Sequence, residues 1–338
     1  MENQKEYTKV LTIAVPSYNM EKHLLKNLPT YVDNRLENDL EVIILNNAST
    51  DRTGEIAQQF VEKYPEIFRL FDRSGKGYGS SINAAIDKAQ GRYFRIVDAD
   101  DWVDTEQLVL LIDELKNCEA DVVQTNYQKI DMQTGKAYPV IFHDVEYNHL
   151  YADFTTCRLN TPCIHSTAYL TVLLKKNGIK LQDNIFFVDE EYVIMPFLYA
   201  KSVIYYDLNI YRYLVGNPLQ STSPINRAKY FKHREQIVKR LIEFYHKNSM
   251  KQDIKEYCFS RICQAAGDHL TTLYMFLPDR KEGRKLAQEW GRYIYQKDNT
   301  IYNAIHRKAF LLSVLNNLHV SLRTYEKMKK CFLHNGRP

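Results

Sequence analysis

The first 130 residues alternate short apolar strand patterns with helix patterns, and this alternation limits the possible folds more than any other feature. Strand-like runs include residues 10–15 and 41–45, and the residues between such runs carry apolar side chains at helical spacing. Strands separated by helices of this length form βαβ units, whose strands are parallel. We therefore predict an α/β fold with a Rossmann-like, mostly parallel sheet and helices on both faces. The predicted strands cover residues 10–15, 41–45, 68–71, 92–97 and 121–125.

The pattern becomes almost wholly helical from Asn226 onward. We therefore predict one domain over residues 1–225 and a helical C-terminal region over residues 226–338. Because leucines recur there at helical spacing, we also predict a helix with one continuous apolar face. That face would consist of Leu311, Leu315, Leu318 and Leu322.

Composition and charge narrow the class of protein. At 338 residues, with 45% apolar and 25% charged residues, the chain has the make-up of a soluble globular protein. A net charge of +4 is too small to indicate nucleic-acid binding by itself. The N-terminus lacks the apolar region of a signal peptide, and no apolar run approaches the ~20 residues that span a bilayer. We expect a cytoplasmic protein, or one attached to the inner face of the membrane.

Polar clusters follow three of the predicted strands. They are the segments from Pro16 to Asn19, from Asn46 to Asp51, and from Asp98 to Asp101. Ligands of open parallel sheets bind at the carboxyl ends of the strands, where loops and helix N-termini converge. The sequence therefore predicts a binding site at this edge of the sheet.

The Asp98-Ala99-Asp100-Asp101 segment has the most specific chemistry of the three. Two carboxylates one residue apart, at the end of a buried strand, can face one hard cation, and Mg²⁺ and Mn²⁺ prefer oxygen ligands. The alternative is that these acids cap the following helix. Asp104 is already well placed as that cap, so capping leaves the earlier acids unexplained.

The order and separation of these clusters resemble family-two glycosyltransferases of the GT-A fold, over roughly residues 8–222. The resemblance rests on the three strand-terminal clusters and on the glycine-containing helix start at Gly75 to Gly79. It implies an enzyme that transfers a hexosyl or related group from a nucleotide-sugar, in bacterial surface-polysaccharide or related glycan assembly. It also implies a nucleotide-sugar half over residues 8–130 and an acceptor half over residues 131–225.

For the donor, the resemblance implies contacts from four positions before the acidic cluster. Pro16 and Tyr18 match the loop that lies near a uracil ring. Asn47 stands where the family usually has an aspartate that accepts a hydrogen bond from the base; an amide oxygen can accept that bond without charge. Lys76, in the glycine-rich loop, would approach the phosphates.

For catalysis, the resemblance implies a divalent metal, Mn²⁺ or Mg²⁺, and a general base. Asp98 matches the acid near the ribose and the metal, and Asp100 matches the principal metal ligand. The Val188-to-Tyr192 segment resembles the motif that carries the base, which we assign to Asp189, with Glu190 as the alternative one residue along. The structural alternative is a helix N-terminus with stacked acids.

Two further segments resemble parts of the family that contact the acceptor or the pyrophosphate. His165 follows Thr161-Pro162-Cys163-Ile164, and a histidine beside apolar residues is also compatible with a structural role. The second segment runs from Tyr211 to Ser221, and in the alternative interpretation it is an exposed loop. Its candidate residues are Arg212, Gln220 and Ser221.

Two other functions compete with this hypothesis. The glycines at 75, 77 and 79 do not have the spacing of a dinucleotide fingerprint, and they follow the third strand and not the first, which argues against a dehydrogenase. A non-catalytic protein could use the same fold to bind a nucleotide-sugar or a partner. The presence of Asp98, Asp100 and Asp189 argues against that alternative.

The last 38 residues are basic, with seven lysines and arginines against one acid, Glu326. Such a helical tail either packs on its own protein or docks on an anionic membrane leaflet. In the docking alternative, Lys327, Lys329 and Lys330 would act beside Phe332. A glycan or lipid-linked acceptor would suit that location.

Overall fold

The computed structural model describes residues 7–75, 77–217, 220–221 and 223–335. The chain divides into two compact units. One is built from the chain up to Asn217 together with Met250–Tyr257, and the other from the remainder. The predicted boundary near residue 225 stays a prediction.

The first unit contains a mixed ten-stranded sheet. Eight strands lie side by side in the order β3-β2-β1-β4-β9-β6-β10-β5, and off this path β7 pairs with β6 and β8 pairs with β10. β3, β2, β1 and β4 are parallel neighbours, as predicted from the βαβ pattern, and β10 is parallel to β6. β9 enters antiparallel between β4 and β6, and β5, β7 and β8 add short antiparallel pairs. The strands are β1 Lys9–Ser17, β2 Leu40–Asn47, β3 Phe68–Arg73, β4 Gly91–Ile96, β5 Trp102–Val103, β6 Val122–Asp131, β7 Ala137–Val140, β8 Leu150–Tyr151, β9 Thr167–Leu170 and β10 Val203–Val215.

Helices connect the strands and make up most of the C-terminal part, which confirms the predicted α/β class with a helical C-terminal region. Short 3₁₀ turns cover Leu28–Tyr31, Asn34–Leu36 and Met195–Leu198, and a π turn covers Thr272–Phe276. The helices are α1 Glu21–Asn27, α2 Thr53–Lys63, α3 Gly77–Lys88, α4 Thr105–Asn117, α5 Thr155–Asn160, α6 Thr171–Lys176, α7 Asp189–Ile194, α8 Pro224–Lys229, α9 Phe231–Lys247, α10 Gln252–Thr271, α11 Arg280–Lys297, α12 Asn299–Asn317 and α13 Leu322–Asn335.

The core of the first unit lies between one face of the sheet and α1, α2 and α4. Alternate residues of β1 and β2 point into it because side chains along a strand alternate between faces. Leu11, Ile13 and Val15 are fully buried there, together with Val42 and Ile44. This core fixes the carboxyl ends of the parallel strands, and with them the polar clusters.

The predicted helix cap at Asp104 is confirmed. Asp104 caps α4, because its carboxylate accepts a hydrogen bond of 3.0 Å from the backbone N–H of Gln107. After α1 the chain forms the 3₁₀ turn Leu28–Tyr31, since Pro29 cannot donate the backbone hydrogen bond that would continue an α-helix.

The predicted continuous apolar face through Leu311, Leu315, Leu318 and Leu322 is wrong. α12 ends before Leu318, and His319 adopts a left-handed φ of 54°, so α13 is a separate helix. Leu315 is buried, but Leu311 and Leu318 are 57% and 69% exposed. The buried face of α12 is formed by Ile301, Ile305, Leu312 and Leu315.

Among the helices in the described ranges, none has both the length and the apolar character needed to span a bilayer.

Candidate active site

The loops after β1 and β2 are joined by side-chain hydrogen bonds at the carboxyl edge of the sheet. Asn19 accepts from the backbone N–H of Thr50 at 2.8 Å, and its own N–H donates to the Ser49 hydroxyl at 3.0 Å. Asn19 has a φ of 53°, a left-handed conformation that asparagine tolerates better than most residues. The two predicted polar clusters therefore form one structured rim.

The predicted donor residues of these two loops differ in exposure. Pro16 is buried within β1, whereas the Tyr18 side chain is 56% exposed at the rim. Asn47 is the last residue of β2 and is half-buried, next to Arg73 of β3 in the strand register. Tyr18 and Asn47 thus belong to adjacent loops of the same edge. Lys76 lies outside the described residues.

The backbone of the Asp98–Asp101 turn is held by Asn27, at the end of α1. The Asn27 amide nitrogen donates to the carbonyl oxygen of Asp101 at 2.8 Å and to that of Asp98 at 3.3 Å. Asn27 is fully buried, so these bonds are shielded from water. The turn after β4 is therefore rigidly placed, by a residue that the sequence pattern does not single out.

Asp101 has a structural role in this turn. Its carboxylate is buried and accepts a hydrogen bond of 2.6 Å from the Tyr211 hydroxyl and one of 2.7 Å from the backbone N–H of Leu214. Burial, followed by the charges of Asp100 and Asp98, raises its pKa well above the usual range. Asp101 thereby ties the turn to β10.

Asp98 and Asp100 remain half-buried and face a concentration of negative charge. The Tyr78 hydroxyl donates to Asp98 Oδ1 at 2.5 Å, which favours the charged carboxylate. Burial, followed by the charges of Asp100 and Asp189, nevertheless raises the pKa of Asp98 to about 7. Half-buried carboxylates that repel each other are a donor set that fits a divalent cation, because its charge would offset that repulsion.

Asp189 is the first residue of α7 and lies close enough to this cluster to act on it electrostatically. Its charge contributes to the raised pKa values of both Asp98 and Tyr78. Glu190 is half-buried beside it, whereas Glu191 is buried and accepts two hydrogen bonds from Gln182, at 2.7 and 3.0 Å. The structure therefore brings the predicted base into the electrostatic environment of the predicted metal ligands.

His165 also lies against the acidic turn. The nearest donor atoms of His165, Asp98 and Asp101 are all within 4.8 Å of one another. The imidazole stacks on Tyr213 at 4.0 Å, and its Nδ1 is buried with no hydrogen-bond partner among the described residues. Burial, followed by the positive charges of Arg95 and Lys129, lowers its pKa to about 3, so the ring is neutral.

The remaining predicted residues are Arg212, Gln220 and Ser221. Arg212, in β10, donates to the Asp104 carboxylate at 2.6 Å and to the carbonyl oxygen of Asn209 at 2.8 Å, which connects β10 to the start of α4. Gln220 and Ser221 belong to the second compact unit. Their assignment to the acceptor or the pyrophosphate stays a prediction.

The start of α3 lies against the segment that leads to α7. A Cβ atom on Gly79 would stand 2.2 Å from the carbonyl oxygen of Gln182, and one on Gly77, which has a φ of +80°, would stand 2.9 Å from the backbone nitrogen of Asn184. Only glycine permits this approach. Tyr78 is thereby placed against Asp98, a contact that its position in the glycine-rich loop hints at but does not specify.

Known glycosyltransferases resemble this chain in sequence and in fold. The model of the family described as Glycosyl transferase family 2 matches residues 12–177. The curated relatives include the Glycosyltransferase GlyA of Streptococcus pneumoniae, which is 29% identical over 141 residues, covering 42% of this chain and 20% of that protein. The chain spans less than half the length of the first curated relatives that it matches.

Solved structures share the fold across most of the chain. The structure of Staphylococcus aureus TarS 1–349 in complex with UDP has a TM-score of 0.64 at 17% identity, covering 94% of this chain and 91% of that chain. The mannosyltransferase PcManGT from Pyrobaculum calidifontis, in complex with GDP-Man and Mn²⁺, has a TM-score of 0.52 at 16% identity, covering 93% and 89%. The fold is therefore that of GT-A glycosyltransferases.

Proposed function

We propose, on the premise that residues 12–177 belong to glycosyl transferase family 2, that this chain is an inverting, metal-assisted glycosyltransferase. It would move a hexosyl or related group from a nucleoside-diphosphate donor to a hydroxyl acceptor, in the assembly of bacterial surface polysaccharide or a related glycan. The observation that carries the proposal is the placement of the half-buried Asp98 and Asp100 in the turn after β4, with Asp189 at the start of α7 near enough for its charge to act on Asp98.

The donor in this proposal is a UDP-sugar, bound at the rim formed by the loops after β1 and β2. The exposed Tyr18 ring offers a surface for stacking a base, and the Asn47 amide oxygen can accept a hydrogen bond from a base N–H. TarS binds UDP in its complex, whereas PcManGT binds GDP-Man, so the fold accommodates more than one base. Lys76 would approach the phosphates.

The metal in this proposal is Mn²⁺ or Mg²⁺, held by Asp98 and Asp100. The metal would offset the charge of the departing nucleoside diphosphate. The two residues fit this role because their oxygens are hard ligands and Asp98 is destabilised as an anion by its neighbours. The Mn²⁺ complex of PcManGT supports the same choice of ion.

The general base in this proposal is Asp189, with Glu190 as the alternative. An inverting transfer requires a carboxylate that removes the proton from the acceptor hydroxyl on the face opposite the leaving group. Asp189 suits this role because it stands on α7, outside the Asp98–Asp101 turn, yet acts on Asp98 electrostatically. The candidates for acceptor or pyrophosphate contacts in this proposal are His165, which lies against the acidic turn, and Arg212, Gln220 and Ser221.

The proposed location is the cytoplasm, where nucleotide-sugars are made, with attachment to the inner face of the membrane when the acceptor is lipid-linked. The basic character of residues 301–338 supports the second part, since cationic segments are attracted to anionic leaflets.

The test is a panel of nucleotide-sugars with Mn²⁺ or Mg²⁺, read first by thermal shift and then by turnover. A donor at 100 times its Kd should stabilise the native state by about 2.7 kcal/mol. That donor should then be transferred or slowly hydrolysed in a metal-dependent reaction, and NMR should show inversion at the anomeric carbon. The Asp100→Asn variant, which lacks one of the two proposed metal ligands, is the matched control for metal dependence.

Binding without any turnover, for every donor and in the presence of soluble glycan acceptors, would support the non-catalytic alternative. A product that retains the donor's anomeric configuration would contradict the inverting mechanism.

A further inference from the structure

The second compact unit exposes a row of large apolar side chains on α12 and at its C-cap. Phe310, Leu311 and Leu318 are 73%, 57% and 69% exposed, and Val314 is 37% exposed. Phe310, Leu311 and Val314 lie on one side of the helix, at i, i+1 and i+4, and Leu318 follows as the C-cap residue of α12. We call these four residues the α12 apolar face.

This exposure does not come from a loosely placed helix. The opposite side of α12 is buried, and polar contacts fix the helix within its own unit. The Asn316 amide donates to the carbonyl oxygen of Tyr274 at 2.5 Å, and Lys308 pairs with Asp268 at 3.1 Å. α12 therefore has two apolar sides, one that builds the core and one that faces outward.

The charge around the α12 apolar face is mostly positive, and the one acid between residues 299 and 335 is Glu326 on α13. From residue 299 to residue 325 the sequence contains no aspartate or glutamate. Arg307 is exposed one helical turn before Phe310 and Leu311, on the same side, and Arg323 and Lys327 are exposed on α13. The surface thus combines apolar side chains with positive charge.

We propose that the α12 apolar face docks on an anionic lipid bilayer. Helices that lie in a membrane interface insert apolar side chains below the headgroups while adjacent cations contact anionic lipids, and α12 offers both. A second copy of the chain is a poorer occupant, because a symmetric pairing through this face would bring two mostly cationic surfaces together. The inference rests on the proposed membrane location and is independent of the sugar-transfer chemistry.

The test is sedimentation of the full-length protein with vesicles of phosphatidylcholine alone or with 30% phosphatidylglycerol, a fraction of about that size being enough to give a negative surface potential. The wild type should bind the anionic vesicles, and added salt should weaken the binding. Phe310→Ser/Leu311→Ser should reduce the partition coefficient by about tenfold or more, since it removes two inserted side chains. Arg307→Gln/Arg323→Gln should reduce it on anionic vesicles only.

The matched control is Leu25→Ser/Leu110→Ser, which removes two leucines that are 62% and 49% exposed on the first unit. This control should bind vesicles like the wild type. All variants should keep the wild-type melting temperature and nucleotide binding, because none of these side chains is buried or placed in the site.

If the wild type and Phe310→Ser/Leu311→Ser bound vesicles equally, the inference would be overturned. The proposed membrane location would stand. If the wild type did not bind vesicles, both the inference and the proposed membrane location would be overturned. The proposed sugar transfer would not be affected. A dimer of the wild type that becomes monomeric in the double variant, without vesicle binding, would assign the face to a second copy and overturn the inference as well.

Discussion

Hydrogen bonding separates the acids after β4 into two groups at the scale of single residues. Both carboxylate oxygens of Asp101 accept hydrogen bonds, one from the Tyr211 hydroxyl and one from the Leu214 N–H, so Asp101 has a structural role. Asp98 keeps one oxygen beyond its bond to Tyr78. Residue type and spacing revealed the acidic cluster, but only the three-dimensional contacts show that its members differ in role.

Asp189→Asn should abolish most of the transfer while donor binding survives. The amide keeps the shape of the side chain but cannot accept the proton, and loss of a general base typically costs about 10²–10⁴-fold in rate. Single-turnover kinetics and calorimetric UDP binding would separate the two effects. The paired variant Glu190→Gln should retain transfer; the reverse pattern would move the base to Glu190.

Asn47→Asp should leave nucleotide binding within about a factor of ten, the range of one altered hydrogen bond. The reason is that an amide oxygen and a carboxylate oxygen can both accept from the same base N–H. Titration calorimetry with UDP and with GDP would measure the change. A variant that folds normally but no longer binds any nucleotide would show that Asn47 does not lie at the base.

At the scale of elements, the site depends on close contact between the start of α3 and the segment before α7. Gly79→Ala would force a Cβ to within 2.2 Å of the Gln182 carbonyl oxygen. The strain should lower the free energy of unfolding by about 1–3 kcal/mol, as overpacking commonly does. Urea denaturation would measure the loss.

The control for this variant is Gly291→Ala in α11. There the new Cβ would contact only Tyr302, at 3.9 Å. The free energy of unfolding should rise by about 0.4–1 kcal/mol, because alanine restricts the unfolded chain more than glycine does. If both variants changed the free energy of unfolding by the same amount, close packing at Gly79 would not be the cause of the loss in Gly79→Ala.

The sequence pattern anticipated β1 to β4 and the helices between them, because each is a local apolar run closed by polar or glycine residues. It did not anticipate that β9 inserts antiparallel between β4 and β6, since such a pairing joins residues far apart in the chain. The contacts of Asn27 and Tyr78 with the acidic turn are non-local for the same reason. The break after α12 depends on the conformation of His319, which apolar periodicity does not encode.

At the scale of the whole molecule, charge is distributed unevenly between the acidic cluster and the basic C-terminal residues. Burial, followed by the charges of Asp100 and Asp189, raises the pKa of Asp98, and a bound cation would offset this repulsion. The acid-free stretch around α12 carries the opposite sign. The two regions therefore suit different ligands, a metal-bound diphosphate and an anionic surface.

The central claim is that the acids at the carboxyl edge of the sheet form one metal-dependent nucleotide site. Isothermal titration calorimetry of UDP binding, with Mn²⁺ or with EDTA, tests it most directly. We expect the wild type to bind UDP in Mn²⁺ and to lose at least about 10–100-fold in affinity in EDTA, with Asp100→Asn equally weak in Mn²⁺. Equal affinity in Mn²⁺ and EDTA, unaffected by Asp100→Asn, would contradict the account.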